Sequence, residues 1–157
     1  MVNGFDRARM VNISQSDADR ARLGAVGDQD LRDDGTDYEG VVIQKPWGSE
    51  WQVFRNAEFS AWQLNINAGA ETSMHCHPGK TTILVVTEGE VVVSTLESSF
   101  WMSVGQVLII ERGVFHRTAS SALAGAVVME LESPANKRDL VRIEDRYGRA
   151  GMGYECA

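Results

Sequence analysis

What the chain is short of narrows the possibilities first. Two cysteines, Cys76 and Cys156, in 157 residues are too few for a disulfide framework, and nothing else points to an oxidising compartment. The longest apolar run, Ala122 to Met129, is far too short to cross a bilayer as a helix. The opening Met1-Val-Asn-Gly-Phe-Asp-Arg7 offers no apolar stretch for a secretory signal, so the expectation is a soluble, cytoplasmic protein with no membrane role. Positive charge is scarce: 15 lysines and arginines face 22 aspartates and glutamates, and the net charge of −7 repels a phosphate backbone and argues against nucleic acid as a partner. Histidine is nearly as scarce as cysteine. There are three, His75, His77 and His116, two of them in a His-x-His pair, so none is spare and the three read as one group.

The 43% of hydrophobic residues is enough to bury the core of one ordinary domain. The first forty residues stand apart, with nine acidic and five basic side chains and few aromatics. Residues 1–39 read as a polar arm that packs on the main body or on a partner subunit. Within it, Ser14 to Gly24 reads as a short helix capped by Ser14 or Ser16 and ended by Gly24, and Asp28 to Asp37 as an acidic loop. From Gly40 the pattern is β, and the main domain is placed at 40–149. Val41–Gln44, Trp51–Phe54, Phe59–Ile66, Ile83–Thr87, Val91–Thr95, Phe100–Val104, Val107–Ile110, Val114–Thr118 and Ala126–Leu131 read as strands, with Glu88-Gly-Glu90 as a hairpin turn between two of them. Many short strands with glycine-bearing turns point to an all-β barrel or sandwich. The charged segment Asp139 to Gly148 reads as ending in loop, followed by a tail at 150–157.

Residues i and i+2 of a strand share a face, so His75 and His77 can present both imidazoles to one metal while Cys76 turns away. His116 lies on another predicted strand, where Val114, His116 and Thr118 share a face. Three neutral imidazoles suit Zn²⁺, Fe²⁺, Ni²⁺ or Cu²⁺, and three protein ligands leave positions open for water or substrate.

Gly69, five residues, His75-Cys-His77, four residues, Thr82, six residues and Gly89 follow the spacing of the first cupin motif, Gly-x5-His-x-His-x3,4-Glu-x6-Gly. Gly105, five residues, Glu111-Arg-Gly113, two residues, His116, three residues and Ser120 follow the second, Gly-x5-Pro-x-Gly-x2-His-x3-Asn. With fifteen residues between Gly89 and Gly105, the chain resembles the smallest bacterial cupins from about Gly40 to Leu131. The resemblance implies a double-stranded β-helix, a cupin jelly-roll barrel with one divalent metal in its mouth, here held by His75, His77 and His116. Three motif residues differ: Glu becomes Thr82, Pro becomes Glu111 and Asn becomes Ser120. Without the carboxylate, Zn, Fe or Ni is expected over Mn.

The flanks Lys45-Pro-Trp-Gly-Ser-Glu50 and Asp139 to Arg149 are similar to those of the type II mannose-6-phosphate isomerase domain, which often follows a mannose-1-phosphate guanylyltransferase. That family has Arg-Ala-Glu where this chain has Lys80-Thr81-Thr82, and Gln where it has His75. The similarity implies an isomerase or epimerase acting on a sugar phosphate or related carbohydrate. In that reading Lys80 holds an anionic sugar at the barrel mouth, Glu71 shares the parity of the histidines and is the candidate base, and Thr82 and Thr118 line the substrate pocket. A three-histidine Fe(II) dioxygenase and a non-catalytic sugar-binding or sensor cupin stay open beside it. Small cupins pair through sheet edges, so a homodimer is expected, with Gly40 to Ile43 and the arm reaching the neighbour.

Overall fold

A computed structural model describes residues 9–154. In chain order the elements are β1 (Met10–Ile13), α1 (Asp17–Gly24), β2 (Val42–Lys45), β3 (Gly48–Arg55), β4 (Ser60–Ile66), β5 (Met74–Cys76), β6 (Thr81–Glu88), β7 (Glu90–Thr95), β8 (Ser99–Ser103), β9 (Val107–Ile110), β10 (His116–Ser120), β11 (Ala126–Ser133) and β12 (Val141–Glu144). They form two sheets, a larger one ordered β1-β9-β6-β11-β4-β3-β2 and a smaller one ordered β12-β5-β10-β7-β8. This is the jelly-roll arrangement of the expected all-β fold, a double-stranded β-helix whose two sheets do not close into a continuous barrel. Among the described residues no helix is long and apolar enough to cross a membrane.

The inward faces meet in one core. Trp62, Leu64, Leu84, Val86, Leu108, Ile110 and Val128 of the larger sheet pack toward Val91, Val93 and Met102 of the smaller. Each such side chain contributes about 1.5–3 kcal/mol by leaving water. In β4 the apolar alternation of Trp62, Leu64 and Ile66 with Gln63 and Asn65 sets which face turns inward.

The structure corrects one of the local expectations and adds to another. Glu88-Gly89-Glu90 is not a hairpin: β6 pairs with β9 and β11, whereas β7 pairs with β8 and β10. The chain changes sheets across Gly89, whose φ of 73° places it in the left-handed region, and a Cβ there would lie 2.6 Å from the Gly125 carbonyl oxygen. The charged segment near the end does finish in loop, but a strand that the sequence pattern does not mark comes first. Val141–Glu144 forms β12 and pairs with β5, because Val141 has an apolar cluster to enter.

The N-terminal segment is tied to the body at two places. β1 joins the edge of the larger sheet, parallel to β9. Ser16 caps α1, its hydroxyl accepting from the Asp19 N–H while the Asp19 carboxylate accepts from the Ser16 N–H. Leu23, Val26 and Leu31 then cover Met74, Cys76, Phe115 and Val141 on the outer side of the smaller sheet.

Candidate metal centre

β5 and β10 are neighbours, and His116 stands opposite His75 in their register. His77 follows at the end of β5. The three rings meet between the sheets with centroids 4.6 Å (His75–His116), 4.9 Å (His75–His77) and 5.5 Å (His77–His116) apart. Alternation sends the intervening residues outward: Cys76 is buried in the cluster behind the sheet, where burial raises its thiol pKa to about 12.

The outer ring nitrogens are all committed. Nδ1 of His75 lies 2.8 Å from the Ser73 carbonyl oxygen, that of His77 2.5 Å from the Asp139 oxygen, and that of His116 3.0 Å from the Val114 oxygen. A carbonyl only accepts, so each Nδ1 carries the proton and each Nε2 keeps a bare lone pair. Nε2 of His77 and of His116 is buried without a hydrogen-bond partner among the described residues, as is Oγ1 of Thr82. Buried polar atoms are rarely left so. Burial holds the three imidazoles neutral: His75 falls well below its usual range, with His116 adding to the effect; His77 does likewise, with Lys80 adding; and His116 falls to about 4, against the pull of its bond to Val114. Neutral imidazoles, fixed in tautomer by backbone carbonyls and aiming lone pairs at one point, are the donor set of a transition-metal site. His75, His77 and His116 place their ligand atoms within 4.8 Å of one another, so the residues present fit a divalent ion.

The facing sheet brings charge. Lys45 on β2, Glu50 on β3, and Glu130 and Glu132 on β11 point inward and, with Lys137, line a cavity that His75 and His77 close from the other side. Glu130 and Glu132 bring carboxylate oxygens within 4.8 Å of each other and of a ring nitrogen of His77. Lys137 bridges Glu130 (3.4 Å), Glu50 (3.6 Å) and Glu132 (3.6 Å), and these carboxylates outweigh burial to raise its pKa. Burial raises Glu130 to about 7, partly opposed by Lys137. Burial would raise Glu132 too, but Lys137 and Lys80 reverse the direction and hold it below the usual range. The Tyr154 hydroxyl donates to Glu50 at 2.5 Å.

Two of the residues marked in the sequence stand elsewhere than expected. Glu71 does not enter this cavity. Its carboxylate pairs with Arg117 (3.1 Å) and Arg146 (3.7 Å), because the irregular stretch Thr72-Ser73 resets the parity and turns Thr72, not Glu71, toward the cavity. Lys80 is not at a mouth. It is fully buried, donating to Glu132 at 2.7 Å and to the Asn136 carbonyl at 2.9 Å. Thr82 is buried on β6, opposite Glu132 in the register. Thr118 is buried two residues past His116, its N–H donating to the Thr72 hydroxyl. Of the arginines near the end, Arg142 donates to Ser73 and to carbonyls at 149, 152 and 153, and Arg149 pairs with Asp145, so both are built into the fold.

Sequence reasoning misses Glu50, Glu130, Glu132 and Lys137. In Val127-Val-Met-Glu130-Leu-Glu132 both faces of the strand carry apolar residues, and the glutamates sit opposite Met129 and Leu131 in parity. The usable signal is Val128, the apolar residue that shares the glutamates' face.

Comparison with known proteins follows the same lines. Residues 62–131 match the family described as Cupin domain. The mannose-1-phosphate guanylyltransferase of Escherichia coli is 27% identical over 109 residues, 68% of this chain. The chain spans 23% of the length of the curated relatives it matches. Among solved structures, KdgF from Halomonas sp. superposes with a TM-score of 0.56 at 20% identity, covering 68% of this chain and 94% of that one. A cupin-superfamily sugar phosphate isomerase from Silicibacter pomeroyi gives 0.52 at 18% identity, covering 55% and 59%.

Proposed function

We propose that this protein, whose residues 62–131 match the Cupin domain family, is a metal-binding isomerase or epimerase acting on a sugar phosphate or a related carbohydrate. The observation that carries the reading is the pairing of two half-sites. The smaller sheet supplies three imidazoles, two of them with buried Nε2 atoms that have no partner among the described residues, and the larger supplies buried carboxylates within reach of one of the rings. The substrate class is supported by the relatives, one of which is a mannose-1-phosphate guanylyltransferase, and by the similar flanks at Lys45–Glu50 and Asp139–Arg149.

His75, His77 and His116 would hold the ion, which when bound supplies a Lewis acid for a substrate oxygen. The remaining work falls to the chain. Isomerisation moves a proton between neighbouring carbons, so it needs a carboxylate beside the ion that is not fully committed to cations. Glu71 is taken up by arginines outside the cavity, whereas Glu130 faces the cavity and meets Lys137 at 3.4 Å. Glu130 is therefore the group assigned to hold and move the proton, and Lys137 the cation that holds it in place. The assembly assigned to this reading is a homodimer.

The test is metal analysis of freshly purified protein, followed by a screen of aldose and ketose phosphates with the ion found. Interconversion of one such pair, lost in Glu130→Gln, is the expected result. Oxygen consumption with Fe²⁺ and no interconversion would replace the reading with the dioxygenase. Metal-independent sugar binding without turnover would replace it with a binding module.

A further inference from the structure

We infer that the centre takes its carboxylate ligand from β11, through Glu132, and is a three-histidine, one-carboxylate site rather than a bare histidine triad. This rests on the metal reading above and extends it to a residue outside the histidine segments.

Thr82 stands five residues after His77 and offers only a hydroxyl, yet that hydroxyl is buried with no partner among the described residues. The neighbouring positions in its row across the larger sheet are Glu132 on β11 and Ile110 on β9. Ile110 has no donor atom, so the polar group nearest Thr82 across the sheet is the Glu132 carboxylate. Glu132 is held for the task at one end only. Its Oε1 accepts from Lys80 at 2.7 Å, while Oε2 has the Ser60 hydroxyl at 3.4 Å, the outer limit of a hydrogen bond. A carboxylate has about four lone-pair sites, so binding by Lys80 leaves capacity for an ion. The lysine is itself pinned by the Asn136 carbonyl, which makes it a positioning residue for Glu132.

The two ligand groups, His75–His77–His116 and His77–Glu130–Glu132, share His77. They are separate sets that meet at that ring, and we join them as one ion with the Glu132 carboxylate turning in at its side, because Lys80 and Lys137 already neutralise the carboxylates and oppose a second cation. Of the two glutamates, Glu132 lies in the row of the unpartnered Thr82 hydroxyl, whereas Glu130 lies in the row of Trp62 and Leu84. A carboxylate in the ligand set also alters selectivity. Hard Mn²⁺ gains more from it than Zn²⁺ does, so the preference against Mn expected of a histidine triad is weakened.

Two measurements test this. The first uses the wild type: infrared difference spectra recorded on adding Mn²⁺ or Zn²⁺ alone. The expected result is a shift of a carboxylate stretching band that disappears in Glu132→Gln and persists in Glu130→Gln. The second is calorimetric affinity for the two ions. Glu132→Gln is expected to weaken Mn²⁺ by about tenfold or more, Zn²⁺ by less, and Glu130→Gln to leave both within about threefold. Because Glu132→Gln strips Lys80 of its counter-charge and can fail to fold, the exchange variant Thr82→Glu/Glu132→Thr is the partner experiment. It moves the carboxylate one strand across the same row and is expected to recover most of the Mn²⁺ affinity. Metal binding by the wild type with no carboxylate shift, or a shift lost in Glu130→Gln instead, overturns the assignment of Glu132 and leaves the histidine centre standing. No binding of either ion by the wild type overturns both.

Discussion

At the scale of single residues, the three histidines are fitted to hold a metal by what their far nitrogens do. Each Nδ1 is fixed by a backbone carbonyl, so removing one imidazole removes a pre-oriented donor and leaves two. Alanine at His75, His77 or His116 is expected to drop bound metal from about one equivalent to about a tenth or less, read by elemental analysis after dialysis. Retention of full stoichiometry in any of the three would remove that residue from the centre. Thr82→Glu sets a second carboxylate beside Glu132 in the register. Two facing like charges destabilise a sheet by roughly 0.2–1 kcal/mol, and a hard cation between them reverses the sign. The variant is expected to melt lower than wild type when metal-free and to bind Mn²⁺ more tightly. Equal affinities would place Thr82 outside reach of the ion. The histidine half of this site is legible in the sequence because two imidazoles two residues apart on a strand cannot avoid sharing a face. The carboxylate half is not: β11 is apolar on both faces, so alternation alone leaves Glu130 and Glu132 without a direction.

At the scale of elements, α1 supports the metal strands from behind. The Asp19 carboxylate closes the capping box with Ser16 and also accepts from the Phe115 N–H at 3.0 Å, one residue before His116. Asp19→Ala opens the cap and orphans a buried N–H, a loss of about 2 kcal/mol. For a domain of this size that lowers the melting temperature by about 4–8 °C. Asp19→Asn keeps an acceptor and is expected to lose less than half as much. Melting curves of the metal-free proteins check both, and equal losses would show that the acceptor oxygen is not what matters. The helix is readable from Ser16 and Gly24, since capping is local chemistry. Its contact with Phe115, 96 residues away, is not, and neither is the change of sheet at Gly89, where a turn residue between two strands looks the same whether the strands pair or part.

At the scale of the whole molecule, the outer face of the larger sheet is unusually apolar. One row crosses all seven strands as Val42, Trp51, Gln63, Met129, Val85, Val107 and Met10, with Gln63 its only polar member. The next row carries Phe54, Ala61, Leu131, Ile83 and Ile109 and ends at the polar Asn12. Val42, Trp51, Phe54 and Met10 are exposed there. A monomer seldom leaves a contiguous patch of that kind in water. The β2 edge lies at one end of the same face, so a second copy docking there would meet both edge and face, which extends the edge pairing expected from the sequence. A net charge of −7 opposes association of two copies at long range, but it is screened within about 8–10 Å at ordinary salt, while burial of the two rows acts at contact. Light scattering at tens of micromolar is expected to give twice the chain mass, within the range where interfaces of standard size persist. Trp51→Lys/Met129→Lys places two charges in the middle of the first row and is expected to yield a folded monomer that still binds its metal, because both side chains point away from the histidines. A wild-type monomer at that concentration, or a double variant that remains dimeric, would assign the pairing to a different surface or to none.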